Sequence, residues 1–473
     1  MPTPSAHRSL LAALIAFAAA GSSSFAATFY WGQTTYSSGS IYTGDFATAG
    51  NWFTTAAGTT GAGAAPSSLN DDVFFNTTAQ NAAGGDITVN ADFSARSLTF
   101  NTSGTTRLVQ SGSPIVNLGS GGITLGALSG PVTLGTGNFL NTRATTSQTW
   151  TNNSANILTV RSLSTNADSG AVTLTLSAGG AGGINFSANV TDNSASNALS
   201  LVIDSSGAGV TTLNGTANSY RGNTTIKQGA LTTFGPLGSG AALLGDTAGN
   251  GSATLNVRSA TGFTNNITVR SGSSGTKTLT TNQTGGVTFG GTLTLNDNLT
   301  VTTFTDGTFN GVISGTGSIL KTTAANLLTF SGANTFSGDL TLNTGAFTLT
   351  ETTGALTFYI KANGVTNQVN GTTTGAVAFN GTFNLNFDNA ALANGNSWTL
   401  VSLASTAETY GTNFALTGFT QNNNIWTNLS GFSFNEATGI LSYSAVPEPS
   451  TFALLGGLAT LLFASARRRR TRA

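Results

Sequence analysis

Carboxylates are the main resource for chemistry in this 473-residue sequence. It has no cysteine, and its one histidine, His7, stands at the extreme N-terminus. Disulfides, Cys–His and Ser–His–Asp nucleophile systems and nearly all zinc sites are therefore excluded from the body of the chain. Acid–base work on a polysaccharide needs acids converging on one face, with carboxyls about 5 to 9.5 Å apart in hydrolases. Asp204, Asp246, Asp297, Asp306 and Asp339 are the residues whose placement decides whether such a group exists. The one adjacent pair of aspartates, Asp71-Asp72 in PSSLNDDVFF, makes a poor dyad in a strand, where neighbours face opposite sides. A turn or cap role is expected of it, ahead of calcium binding or catalysis. A second chemistry is stacking of aromatic rings on sugars. Trp31, Tyr36, Tyr42 and Trp52 lie close in sequence and are the candidate glycan contacts, with packing in the core or a cap expected ahead of that role. No complete GxGxxG, P-loop or GxSxG occurs. No catalytic residue, metal site or cofactor is expected.

The elements that must position these residues follow from composition. Only 7% of residues are charged, while 61 are glycine, and Thr, Ser and Asn fill the polar positions. Threonine and valine favour strands; glycine, asparagine and serine favour the turns between them. Segments of period 2 recur throughout, among them DITVN, PVTLG, AVTLTLS, ATLNVRS and DLTLNTGAFTLT. Six of the 17 basic residues (Arg8, Arg467 to Arg470 and Arg472) and one of the 17 acidic ones (Glu448) lie at the ends, leaving 11 against 16 in a mildly acidic body. No basic face for nucleic acid is expected.

One internal repeat can be aligned at a constant offset of 116 residues, between LNGTANSYRGNTTIKQGAL from Leu213 and TFSGANTFSGDLTLNTGAF from Thr329. Asn218 matches Asn334, Tyr220 matches Phe336, Gly222 matches Gly338, Ile226 matches Leu342, Gly229 matches Gly345 and Leu231 matches Phe347. The aromatic and aliphatic positions should point inward, and the glycines should sit at turns or where successive coils approach closely. Asn and Thr can form hydrogen-bonded ladders between rungs. The fold expected is all-β: a right-handed parallel β-solenoid, or β-helix, with terminal caps, a signal helix and one C-terminal transmembrane helix. At about 20 residues per coil and about 4.8 Å per rung, about 400 residues predict about 20 coils and a rod of roughly 90 to 100 Å. The unit, with GVISGTGSIL before its second copy, resembles the autotransporter-associated β-strand repeat. The stretches AGNWFTTAAGTTGAGAAPSSLNDDVFF and TSQTWTNNSANILTV resemble the N-terminal portion of proteins that carry it.

Both ends read as addresses. A basic residue, Arg8, precedes the apolar run from Leu10 to Ala20, and Ser24-Phe25-Ala26 fits a small-x-small cleavage site. A secretory signal peptide is expected, passing through the Sec translocon and cut after Ala26 or Ala27. At the other end stand Val446-Pro447-Glu448-Pro449, an apolar run from Thr451 to Ala466, and Arg467, Arg468, Arg469, Arg470 and Arg472. Sixteen residues of helix cover about 24 Å, slightly short of the roughly 30 Å hydrocarbon core; arginines reaching for headgroups make up the difference and hold that end in the cytoplasm. The two prolines keep the segment before the run extended. This order of parts resembles the PEP-CTERM sorting signal of Gram-negative bacteria. The resemblance implies that an exosortase-like membrane enzyme reads Val446, Pro447, Glu448 and Pro449 and then releases or re-anchors the body.

The expected organisation is a signal peptide (1–26), an N-terminal cap with the first coils (27–110) and a solenoid (111–354, with repeat copies near 201–231 and 317–347). A C-terminal β cap region (355–445) and the sorting signal (446–473) follow. The function expected is a non-enzymatic structural or adhesive component of the cell surface or extracellular polysaccharide matrix. It would be anchored transiently at the inner membrane and then exported, with extracellular polysaccharide among its partners. The alternatives are a polysaccharide-active β-helix enzyme, a lyase or glycosidase, and a specific glycan-binding adhesin.

Overall fold

Alternation along each strand decides which side of it is buried. In Ala253–Val257, Ala253, Leu255 and Val257 are buried, while Thr254 and Asn256 face outward. Val172–Ala178 repeats the pattern with Val172, Leu174, Leu176 and Ala178 inside. One apolar rank per strand is not a core by itself, so these strands bury it by stacking on copies of themselves. In the computed structural model they do so in parallel and in register. The description covers residues 26–32, 44–75, 85–136, 140–166, 170–322, 326–404, 408–445 and 449–470.

The result is a parallel β-solenoid of about 12 turns. On one face Ile226, Leu244, Val269 and Leu295 form a column. On the next, Leu231, Leu255, Leu279, Val301, Lys321 and Leu342 do the same. A third face carries Phe263, Phe289, Phe309 and Phe330, with Phe289 and Phe309 stacked at 4.5 Å between centroids. Turns are longer and less even than the uniform 20 residues expected. Partner positions are separated by 18 residues between Ile226 and Leu244 and by 32 between Val369 and Val401. The expectation of about 20 coils is thus corrected, and about 12 rungs give a rod of roughly 60 Å.

Corners hold the turns at their spacing. A Cβ on Gly311 would collide with the carbonyl oxygen of Gly291 in the turn before it, and one on Gly332 with that of Gly311. Buried asparagines bridge the same corners. Asn218 accepts from the N–H of Val190 at 2.9 Å, Asn265 from Leu237 at 2.9 Å and Asn334 from Ile313 at 2.9 Å. Each also donates to backbone carbonyls, Asn334 to those of Gly332 and Ala355. The predicted ladders therefore run largely from side chain to backbone, since a buried corner leaves backbone groups that need partners. Direct side-chain rungs also occur, as between Asn214 and Asn185 or Thr302 and Thr322.

The two repeat copies share this local geometry. Tyr220 and Phe336 are buried, as are Ile226 and Leu342, and Leu231 and Phe347. Gly229 and Gly345 both take positive φ, at 86° and 69°. They do not share a face. Leu342 stands in the column of Leu231, whereas its sequence counterpart Ile226 belongs to the neighbouring sheet. The repeated unit is a strand–corner–strand module that fits at more than one place around the rod.

Both ends depart from the parallel pattern. Thr28–Trp31 pairs parallel with Asp72–Phe75 and antiparallel with Trp52–Phe53, over a cluster of Phe29, Trp31, Phe46, Trp52, Phe75 and Phe93. Parallel turns continue past residue 355 as far as Ala415–Leu416. An antiparallel sheet of Ser397–Thr399, Thr420–Asn422, Ile425–Thr427, Phe432–Asn435 and Ile440–Tyr443 then closes the rod. Its hairpin turns through Asn423 and Asn424, both at positive φ, which suits a two-residue connection. The apolar run near the C-terminus lies within the helix Pro449–Arg470, whose side chains from Ala453 to Arg467 are exposed. Among the described residues no helix is long and apolar enough to cross a membrane.

Candidate functional site

The aspartates fall into an order that the sequence does not reveal. Asp204, Asp246, Asp297 and Asp339 lie along one corner of the rod, between the face of Ile226 and the face of Leu231. Successive members stand about two turns, roughly 10 Å, apart at the spacing of parallel strands. Asp306 is on a different corner, after Leu299–Thr303. Carboxylates in a row at that interval do not converge on a single bond, and each is already engaged. Gln228 donates to Asp204 at 2.7 Å, with Lys227 at 3.9 Å. Asp246 accepts from the N–H of Thr247, Asp306 from that of Leu327 and Asp339 from that of Gln368. They act as staples within and between turns. Asp339 belongs to a ladder in which Asn298 receives the N–H of Ser318, Ser318 that of Asp339, and Asp339 that of Gln368.

Asp297 carries the strongest interaction on this corner. Lys277 is 4% exposed, and its Nζ lies 2.7 Å from Asp297 Oδ2 while also donating to the carbonyl of Ser273. Burial works against the charged carboxylate, but the bonds from Lys277 and from the N–H of Asn298 outweigh it and hold Asp297 below its ordinary range. A groove of about 300 Å³ beside the pair is lined by Ser273, Thr276, Lys277, Asp297, Asn298 and Thr300. The lysine stands at an inward position of Lys277–Thr281, where alternation alone calls for an apolar residue.

Asp71 and Asp72 serve the turn and strand they belong to. Asp71 Oδ2 accepts the N–H groups of Ser67 at 3.1 Å and Ser68 at 3.0 Å. Asp72 pairs with Arg96 and accepts from Ser97 Oγ. Among the described residues no group of three or more His, Cys, Asp or Glu is placed to hold a metal.

Two of the four aromatic candidates are corrected by the structure. Trp31 and Trp52 are 4% and 0% exposed. Trp52 packs edge-on against Phe46 at 4.7 Å and Trp31 at 5.0 Å, and its indole N–H bonds the carbonyl of Phe46 at 2.7 Å. Neither ring leaves a face for a sugar, because the open end of the solenoid must be covered by apolar bulk. Tyr36 and Tyr42 lie outside the described residues, as do Val446, Pro447, Glu448 and Arg472. Pro449 opens the terminal helix, which contains Arg467, Arg468, Arg469 and Arg470. Ala26 and Ala27 are exposed, directly before the first strand at Thr28.

Compared with protein-family models, with curated proteins and with solved structures, the chain matches none.

Proposed function

We propose that the chain is an exported, non-enzymatic β-solenoid, a structural or adhesive component of the cell surface or extracellular polysaccharide matrix. Its PEP-CTERM-like tail is the sorting signal for an exosortase-like membrane enzyme. The observation that carries this reading is the employment of the aspartates: those a hydrolase or lyase would use are bonded to neighbouring backbone, to Gln228 or to lysine. A rod whose polar side chains tie its own turns together is suited to being a scaffold. Its outward ranks, such as Thr254, Thr278 and Thr300, offer hydroxyls with little charge, which suits contact with hydrated polysaccharide. The exposed Ala26-Ala27 junction leaves a signal peptidase room to cut. What supports the sorting reading at this end is the order of its parts, Val446-Pro447-Glu448-Pro449, an apolar run and an arginine cluster.

The test is the mass of both termini of the mature chain, recovered from membrane and extracellular fractions of the native host. A chain starting at Ala27 or Thr28 and ending near Val446 to Pro449, outside the inner membrane, is the expected result. A chain that keeps its arginines and is found only in the inner membrane overturns the sorting reading.

A polysaccharide-active enzyme is the second reading, favoured by the groove beside Lys277 and Asp297. Polysaccharide cleavage by the purified protein that is lost on Asp297→Asn would establish it.

A further inference from the structure

One face of the rod keeps the same outward residue types turn after turn. By strand register a single outward rank runs from Thr133 to Thr322 and holds only threonine and asparagine; Thr212, Thr232, Asn256, Thr280 and Thr302 are consecutive members. Two residues earlier on each strand, Val210, Ala230, Thr254, Thr278, Thr300 and Leu320 form a parallel rank. Neither rank carries a charge over these turns. From Thr133 to Thr322 the row is roughly 40 Å long at the spacing of parallel strands. Its hydroxyls are loosely tied to one another. Those of Thr302 and Thr322 are 3.3 Å apart, and Asn256 Nδ2 reaches Thr232 Oγ1 at 3.3 Å. A hydroxyl has one donor and two acceptor sites, so single long bonds leave capacity for a ligand.

A third rank borders this row and carries aromatic rings on the outside. The ladder continues one step past each strand: Phe234 donates its N–H to the carbonyl of Leu213, Arg258 to Thr233, Asn282 to Val257 and Phe304 to Thr281. Phe234, Arg258, Asn282 and Phe304 therefore follow one another on adjacent turns, on the outward side. Phe304 is 52% exposed, whereas Phe289, Phe309 and Phe330 on the third face point into the core. Arg258 lies over the Phe234 ring at 4.9 Å and donates from Nε to the carbonyl of Asn282 at 3.2 Å. That cation is committed within its own rank, and the exposed ring of Phe304 stands beside uncharged hydroxyls.

We propose that this face binds a linear, uncharged, β-linked polysaccharide laid along the rod, with Phe304 as the stacking platform and Asn282, Thr300 and Thr302 bonding its hydroxyls. An extended chain of this kind advances by about 5 Å per sugar, close to the rung spacing of about 4.8 Å, so each turn meets one sugar. A sugar ring has an apolar C–H face and a hydroxyl rim, which an aromatic ring beside rows of hydroxyls complements. An acidic glycan fits less well, because the two threonine ranks hold no cation. A protein partner also fits less well, because protein interfaces centre on an apolar core and this strip is hydroxyl and amide along most of its length. The inference rests on the reading of the chain as a matrix component; it adds the surface and the class of glycan.

The test is affinity electrophoresis of the full chain in detergent, through native gels containing hydroxyethyl cellulose, mixed-linkage β-glucan or alginate. Phe304→Ala, Thr278→Glu and, on the third face, Thr308→Glu are compared with the wild type. Phe304 and Thr278 lie outside the core, so both variants should fold. The expected result is retardation by the two neutral glucans and not by alginate. Phe304→Ala and Thr278→Glu should weaken it about fivefold or more, and Thr308→Glu should leave it unchanged. Retardation that survives both variants of this face, or that Thr308→Glu abolishes equally, overturns the proposal and leaves the matrix reading standing. Retardation by neither glucan, or by alginate alone, overturns it too, and the terminal masses then decide the sorting reading separately. A wild type that sediments as a dimer and becomes monomeric in Phe304→Ala makes the face a contact between rods and likewise overturns it.

Discussion

The phenolic oxygen of Tyr220 lies 2.6 Å from the hydroxyl of Thr224, both side chains fully buried. At the matching positions of the second repeat copy stand Phe336 and Leu340, also buried. One copy keeps a hydroxyl pair in the core and the other keeps none, as expected if a buried polar group is tolerated only with its partner. Replacing Thr224 by Val should strand the Tyr220 hydroxyl and cost about 1–3 kcal/mol. The double variant Tyr220→Phe/Thr224→Val should recover most of that loss. Urea midpoints of the single and double variants check this; a double variant less stable than Thr224→Val would contradict it.

Asn334 satisfies one N–H and two carbonyls at its corner. Asn334→Leu keeps the volume and leaves those groups without partners. A loss of at least about 2 kcal/mol is expected, readable in the urea midpoint. Asn218→Leu should behave alike, because Asn218 makes the same bonds on another face.

Gly311→Ala should be among the most harmful small substitutions in the rod, since its Cβ would meet the carbonyl of Gly291. A cost of about 1–3 kcal/mol follows from forcing two turns apart. Gly50→Ala, where nothing lies within 4 Å, should stay within about 0.5 kcal/mol of the wild type. Melting temperatures of the pair make the comparison.

Lys321 occupies an inward position with its side chain fully buried, and its Nζ donates to the carbonyl of Thr344 at 2.7 Å. Burial pulls its amine down from 10.5 to about 8, while Asp306 pulls the other way. The folded state therefore binds fewer protons than the unfolded state between these values. The penalty of charging the amine is present in full below about pH 8 and is relieved as pH rises toward 10.5. Stability should rise over that interval. Lys321→Met should remove this part of the slope and stabilise the protein at pH 7. Denaturant titrations of both proteins at pH 7, 9 and 10.5 test it; parallel pH curves would refute it.

The carbonyl of Ala27 accepts the N–H of Asp72 at 2.8 Å, continuing the ladder of the first strand. Ala26 makes no comparable bond to the sheet among the described contacts. Of the two expected cleavage positions, the cut after Ala26 preserves this bond. The mature N-terminus should be Ala27, which N-terminal mass determination distinguishes from Thr28.

Much of the body was legible because alternation is a local property. Val172–Ala178 shows its buried face in seven residues, and the repeat at offset 116 identified corner devices, Asn218 and Asn334, that do the same work. Asn265 plays this part too, yet it escaped the alignment because its flanking residues differ. For Trp31 and Trp52 the sequence favours cap packing over sugar platforms, and the packing of Phe46 against both rings supplies the answer. Glu408 carries no local signal in the sequence. Its meaning is its register with Val377, 31 residues earlier, and no local pattern carries that.

Residue types and their local order establish that the chain forms short strands with one apolar rank, that glycine and asparagine make the corners, and that thiol and imidazole chemistry are absent from the body. These follow from residue type and from a period of 2, both readable within ten residues. The stacking of turns sets how many residues close each one, which face each repeat copy occupies, that four of the five named aspartates share one corner, and that Glu408 and Tyr410 end the third face. Corner length sets all of these, and it varies from turn to turn. A change of a few residues in a corner leaves every strand intact while changing what lies above and below it.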